Sequence, residues 1–165
     1  MSGISFDISY DDRSLRSALM GLAALCGNPA PVMRDLATYG AASTHERFEE
    51  TIGPDGKPWK KSLRAQIVGG KTLTQAGHLG NSITSDSGPD WAAWGSNMIY
   101  ARIHQLGGVI KPVSKPSLRF RLAGGGFRTV REVTMPARPF LGINEQDETE
   151  MVAIIKARLK SAAGG

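Results

Sequence analysis

Residues 31–58 constrain the fold of this chain more than any other stretch. A helix can open at Pro31, where the missing N–H costs nothing because the first helical donors have no intrahelical acceptor. Val32, Leu36, Tyr39, Ser43 and Phe48 then share one broad face, while Arg34, Glu46, Arg47, Glu49 and Glu50 lie elsewhere. The run Gly53-Pro54-Asp55-Gly56-Lys57-Pro58 ends the helix in dense turn chemistry and delivers Trp59, to pack back on that helix or to anchor a neighbour. A helix of this length with one apolar side needs a layer to cover it.

The flanking sequence supplies the candidates. Ile4, Phe6 and Ile8 alternate with Ser5, Asp7 and Ser9, which predicts a half-buried strand. Asp11 or Asp12 can cap a first helix carrying Leu15, Leu19, Leu22 and Leu25, stopped by Gly27-Asn28-Pro29. Downstream, Leu73 to Ile83 reads as a short helix with Thr72 or Thr74 near its start. Ile83-Thr84-Ser85 and Trp91 to Trp94 read as a strand pair around Asp86-Ser87-Gly88-Pro89-Asp90. Ser96 or Asn97 can cap a helix through Tyr100 to Gln105, closed by Gly107-Gly108.

Residues 109–135 differ in composition. Lys111, Lys115, Arg119, Arg121, Arg128 and Arg131 face a lone acid, Glu132, and the alternation of Leu118, Phe120 and Leu122 breaks at Gly124-Gly125-Gly126. This predicts a long β-hairpin with a flexible tip, protruding rather than core. Its cations suit phosphate contact, an acidic surface of another protein, or solubility and edge protection. Pro136 and Pro139 then lead into a last helix, from Glu145 or later to about Lys160, burying Met151, Ile154 and Ile155, with Leu159 a further candidate. The expected fold is α+β: helices on a small, mostly antiparallel β-sheet, with a projecting basic β-hairpin, in a single domain spanning 1–165.

Bulk properties narrow the function classes. With 41% hydrophobic and 21% charged residues in 165, the chain has the means to bury a core. A net charge of +5 permits an acidic partner without requiring one. The single cysteine, Cys26, sits among Leu22, Ala23 and Leu25, where a buried, inert thiol is expected. No run approaches the roughly 18 apolar residues of a membrane helix. Asp7, Asp11 and Asp12 stand where a signal peptide would carry positive charge, so a cytoplasmic product is expected, unless it leaves inside a particle.

Catalytic patterns fail by spacing. His45, His78 and His104 lie on separate elements, and His45-Glu46 is followed at the fourth position by Glu49, so no zinc-helix motif forms. Gly69-Gly70-Lys71-Thr72 imitates the end of a phosphate loop, but Arg64-Ala65 stands where its first glycine belongs. Ser82 and Ser96 lack a nucleophile elbow. No metal or cofactor is expected, and a hydrolase built on His104 is the least supported reading.

Two segments remain: Tyr100-Ala101-Arg102-Ile103-His104-Gln105-Leu106-Gly107-Gly108 and Pro136-Ala137-Arg138-Pro139-Phe140-Leu141-Gly142. With Asp55-Gly56-x-x-Trp59 and Thr74-x-x-Gly77-x-Leu79-x-x-Ser82-Ile83, they resemble the virion-morphogenesis and tail-completion family of Mu-like and related contractile-tailed phages. The family's Asp-Pro-x-Gly turn appears here, altered, as Gly53-Pro54-Asp55-Gly56. The resemblance implies a non-enzymatic part of the virion, made in the bacterial host cytoplasm. Such a protein completes the tail or the head–tail neck, as a tail terminator or neck component. It also implies a ring homo-oligomer, commonly six-fold, in contact with neck, tail-tube or sheath proteins and with DNA passing through the channel. Trp59, Tyr100, Arg102, His104, Gln105, Arg138 and Phe140 are then the expected interface residues, and the basic hairpin meets a neighbour or the DNA. The alternative is a small DNA-binding accessory protein that uses the hairpin alone.

Overall fold

The computed structural model describes residues 13–164. The expected first strand at Ile4–Ile8 and the Asp11 or Asp12 cap lie outside the described residues. Among the described residues, six helices and six strands follow one another in an α+β arrangement. Helix α1 spans Arg13–Gly27 and α2 spans Ala30–Glu50, with Pro29 at its N-cap position and Thr51 left-handed at its end. Helices α3 (Leu63–Ile67), α4 (His78–Asn81) and α5 (Ala101–Leu106) are short, and α6 spans Glu145–Ala162.

The strands form three separate two-stranded antiparallel sheets rather than one. Strands β1 (Ile83–Ser87) and β2 (Ala92–Ser96) pair Ile83 with Ser96 and Ser87 with Ala92. This pair lies on α2, which meets α6 along another side. The face of α2 turned inward differs from the expected one. Val32 and Phe48 are buried as expected, but the face is centred on Ala37, Gly40, Ala41, Thr44 and Arg47, while Leu36, Tyr39 and Ser43 are only half-buried. Small residues decide this, because they let the sheet approach closely. A Cβ at Gly40 would run into the Trp94 indole.

Strands β3 (Gly108–Ile110) and β6 (Val133–Met135) form a second ladder, and β4 (Leu118–Arg121) and β5 (Phe127–Val130) a third. Residues 109–135 therefore carry two short ladders in place of one long hairpin. Between them, residues 111–117 on one side oppose only 131–132 on the other, and Pro112 and Pro116 offer no N–H. Two further expectations change. The 73–83 helix shrinks to α4, because Leu73 and Gly77 adopt positive φ of 66° and 69°. Cys26 is exposed, since α1 turns that side away from its contact with α6.

The core gathers Ala41, Phe48, Trp59, Leu79, Ile83, Ala101 and Phe140. Phe48 is its hub: its ring centroid lies 5.3 Å from Trp59, edge-on, and 5.2 Å from Phe140. Among the described residues no helix is long and apolar enough to cross a membrane.

Candidate functional site

The two signature segments meet. Helix α5 and residues 136–142 run side by side, joined by the Gln105 side chain. Its Oε1 accepts from the backbone N–H groups of Phe140 (2.9 Å) and Leu141 (3.0 Å), and its Nε2 donates to the Leu141 carbonyl at 2.8 Å. The Arg138 N–H donates to the His104 carbonyl at 2.7 Å, which fixes the register. A primary amide is suited to this position, because it offers an acceptor and a donor in one plane and the extended chain presents both complements.

The remaining signature residues are spent the same way. Phe140 is fully buried against Phe48. The Trp59 indole donates to the Pro139 carbonyl at 2.7 Å, so the Gly53–Pro58 turn exists to bring Trp59 back onto its own subunit. Arg138 is buried, and its Nε donates to the Lys60 carbonyl at 2.7 Å. Gln105, Arg138 and Phe140, expected at an interface, therefore hold the subunit together, and of the two readings of Trp59 the structure shows the packing back on α2, through Phe48. Arg102 and Tyr100 are exposed, and His104 is half-buried with its ring edge-on to Tyr100. Burial first, and then the nearby Arg138 charge, lower the His104 pKa below 6.5. Its Nδ1 is buried without a hydrogen-bond partner.

Beneath this latch lies a charged centre that the sequence reading placed on the outside. Arg47 pairs with Asp147, both buried, and also donates to the carbonyls of Phe140 (3.3 Å) and Gly142 (2.9 Å). Asp147 accepts in addition from Ser43 (2.5 Å) and Tyr39 (3.2 Å), and with Asn144 it closes a capping box at the start of α6. Burial would raise the Asp147 pKa. The Ser43 hydrogen bond, the Asn144 backbone N–H, the Arg47 charge and the Tyr39 hydroxyl outweigh it and hold the carboxyl below its usual value. Burial and the same carboxylate push the Tyr39 phenol up to about 12. Two signals could have revealed the pair. Arg47 continues the Gly40–Thr44 stripe at helical spacing, and Asn144-x-x-Asp147 is a capping-box pattern.

What the latch presents outward is a groove of about 670 Å³ between the 60–79 segment, the start of α5, and strands β4–β6. Leu63, Tyr100, Phe120 and Val130 give it apolar walls, and Lys60, Lys61, Arg64 and Arg128 give it positive charge. Its one acid, Glu132, lies 3.6 Å from Lys111. Thus only part of the basic segment lines the groove. Lys111, Lys115, Arg119, Arg121, Arg128 and Arg131 are all exposed, and Arg119 stacks 4.5 Å over the Phe127 ring. Among the described residues, no three His, Cys, Asp or Glu side chains gather closely enough to hold a metal.

The sequence profile of the phage virion morphogenesis family matches residues 10–160. The chain is 32% identical to the G protein of Escherichia phage Mu, whose name assigns it to capsid assembly, over 96% of this chain and 97% of that one. It is 35% identical to G protein 2 of the Mu-like prophage FluMu in Haemophilus influenzae, over 87% and 88%. No solved structure matches.

Proposed function

From the premise that this chain belongs to the phage virion morphogenesis family, and so serves phage particle assembly, we propose that it is a non-enzymatic ring protein. The ring, hexameric by analogy with small neck and terminator proteins, sits at the head–tail junction or the top of the tail. There it caps the tail tube and joins it to the head, touching neck, tail-tube or sheath proteins.

The observation that carries this reading is the amount of surface the lone subunit leaves uncovered. The chain exposes 11861 Å², whereas a folded monomer of 17.6 kDa exposes roughly 7,900 Å². Thirteen undescribed residues, even fully extended, account for roughly 2,000 Å² of the difference. The remainder, roughly 1,900 Å², is close to what one ring subunit covers through two standard contacts at about 800 Å² per partner. It is apolar in part: Leu63, Ile67, Val68, Ile99 and Val113 are all exposed, as expected of a subunit made to be covered.

The test is electron microscopy of lysates from the phage or prophage that encodes the chain, with its reading frame interrupted. Complete heads beside unjoined or irregular-length tails support the proposal. A failure to form heads overturns it in favour of a role in capsid assembly, the role named for the Mu relative. A second reading, DNA contact through the basic segment, draws on the exposure of its six cations. A DNA affinity that falls steeply with salt, in a protein that stays monomeric, would favour it.

A further inference from the structure

Two surfaces of the subunit complement each other and share no residue. The groove is basic and apolar. Among the described residues, Lys60, Lys61 and Arg128 face it with no carboxylate partner, between Leu63, Phe120 and Val130. Helix α6 offers the opposite. Glu145, Glu148, Val152, Ile155 and Leu159 recur at alternating spacings of three and four residues, which places them along one side of the helix. That side is solvent-facing. Val152 is 47% exposed. Ile155 at 36% and Leu159 at 38% are exposed too, against the expectation that the helix buries them, because α2 and α1 cover its other side. Both glutamates are exposed, and among the described residues neither has a cation partner.

This stripe is unusual for a helix end-capped with such care, whose inward side is already occupied by α2 and α1. Two free carboxylates followed by apolar residues at i, i+3 and i+7 form the pattern with which an amphipathic helix enters a hydrophobic groove. Because the stripe and the groove are different patches of one chain, matching them between copies gives a heterologous, head-to-tail contact. Such a contact closes into a ring when its rotation divides a full turn.

We infer that the α6 stripe of one subunit lies in the basic groove of the next, with Glu145 and Glu148 against Lys60, Lys61 and Arg128, and with Val152 and Ile155 against Leu63, Phe120 and Val130. The inference rests on the ring reading and supplies its interface. The side chains that make the contact lie outside the latch, so the contact can be changed without disturbing the fold. Lys60 serves the latch only through its backbone carbonyl.

The experiment measures native mass by sedimentation across a concentration series for four proteins. They are wild type, the groove variant Lys60→Glu/Lys61→Glu/Arg128→Glu, the helix variant Glu145→Lys/Glu148→Lys, and all five changes in one chain. Wild type should assemble, each single-surface variant should remain monomeric, and the five-change chain should assemble again. Glu145→Gln/Glu148→Gln, which reverses no charge beside the capping box, should also weaken assembly, with a melting curve like that of wild type. If wild type assembles and both single-surface variants assemble equally, the contact lies elsewhere and the inference fails while the ring reading stands. If the helix variants assemble normally, the stripe is not part of the contact, which also overturns it. A wild type that is monomeric throughout the series contradicts the inference together with the ring reading.

Discussion

Replacing Gln105 by alanine cuts the one side-chain hydrogen-bonded tie between the two signature segments among the described residues. Three hydrogen bonds go at once, two from backbone N–H groups and one to a carbonyl, all between 2.8 and 3.0 Å. At about 1 kcal/mol net for each, the loss is about 3 kcal/mol. Water reaches the half-buried site in part, which keeps the figure below the full desolvation penalty of three orphaned groups. For a chain of this size the midpoint should fall by about 6–12 °C. Thermal unfolding reads that shift and urea denaturation the free energy, both followed by tryptophan fluorescence, because Trp59 is tied to the neighbouring Pro139 carbonyl. Gln105→Glu keeps the acceptor for both N–H groups but sets a carboxylate oxygen against the Leu141 carbonyl, so it should fall between wild type and alanine. A loss under about 1 kcal/mol for Gln105→Ala, with an unchanged denaturant slope, would refute the latch and return this amide to a neighbour-facing role.

Other perturbations read the same architecture. Asp147→Asn leaves Arg47 buried without a counter-charge and should cost about 3–5 kcal/mol, measured by denaturant titration near neutral pH. In wild type the folded Asp147 binds its proton less readily than the unfolded one. Its contribution is therefore complete above its ordinary value of 3.8 and lost as pH falls through the depressed folded value, and the variant should lack this acid-side loss. His104 also has a lowered pKa, so the folded state disfavours its protonation. Stability should decline as pH drops below about 6.5, and His104→Leu should flatten that part of the pH profile.

The elements fixed by local chemistry were legible in the sequence. Pro31 marks the opening of α2, the turn around Gly88-Pro89 marks β1 and β2, and α6 starts where expected at Glu145. The resemblance to virion-morphogenesis proteins, carried by the same short motifs, agrees with the family match. What local chemistry leaves open is which side of an element turns inward. Arg47 reads as a solvated charge until Asp147, 100 residues later, comes to meet it. Trp59, Arg138 and Phe140 are the residue types that anchor interfaces, and composition cannot separate an anchor between subunits from one within a subunit. The consequence is practical. Arg138→Ala and Phe140→Ala would damage the fold before they reported on assembly, whereas Lys60, Lys61, Glu145 and Glu148 are exposed, and a melting curve separates any effect of the two glutamates on the first turn of α6 from their effect on assembly.

The most direct measurement of the central claim is native mass by light scattering on the wild-type chain at physiological salt, over a wide concentration range. The account predicts one discrete closed species, of hexamer size or another fixed ring number, that persists on dilution and dissociates as salt screens the charged contact. A monomer at every concentration, or a broad distribution growing without limit, would contradict it.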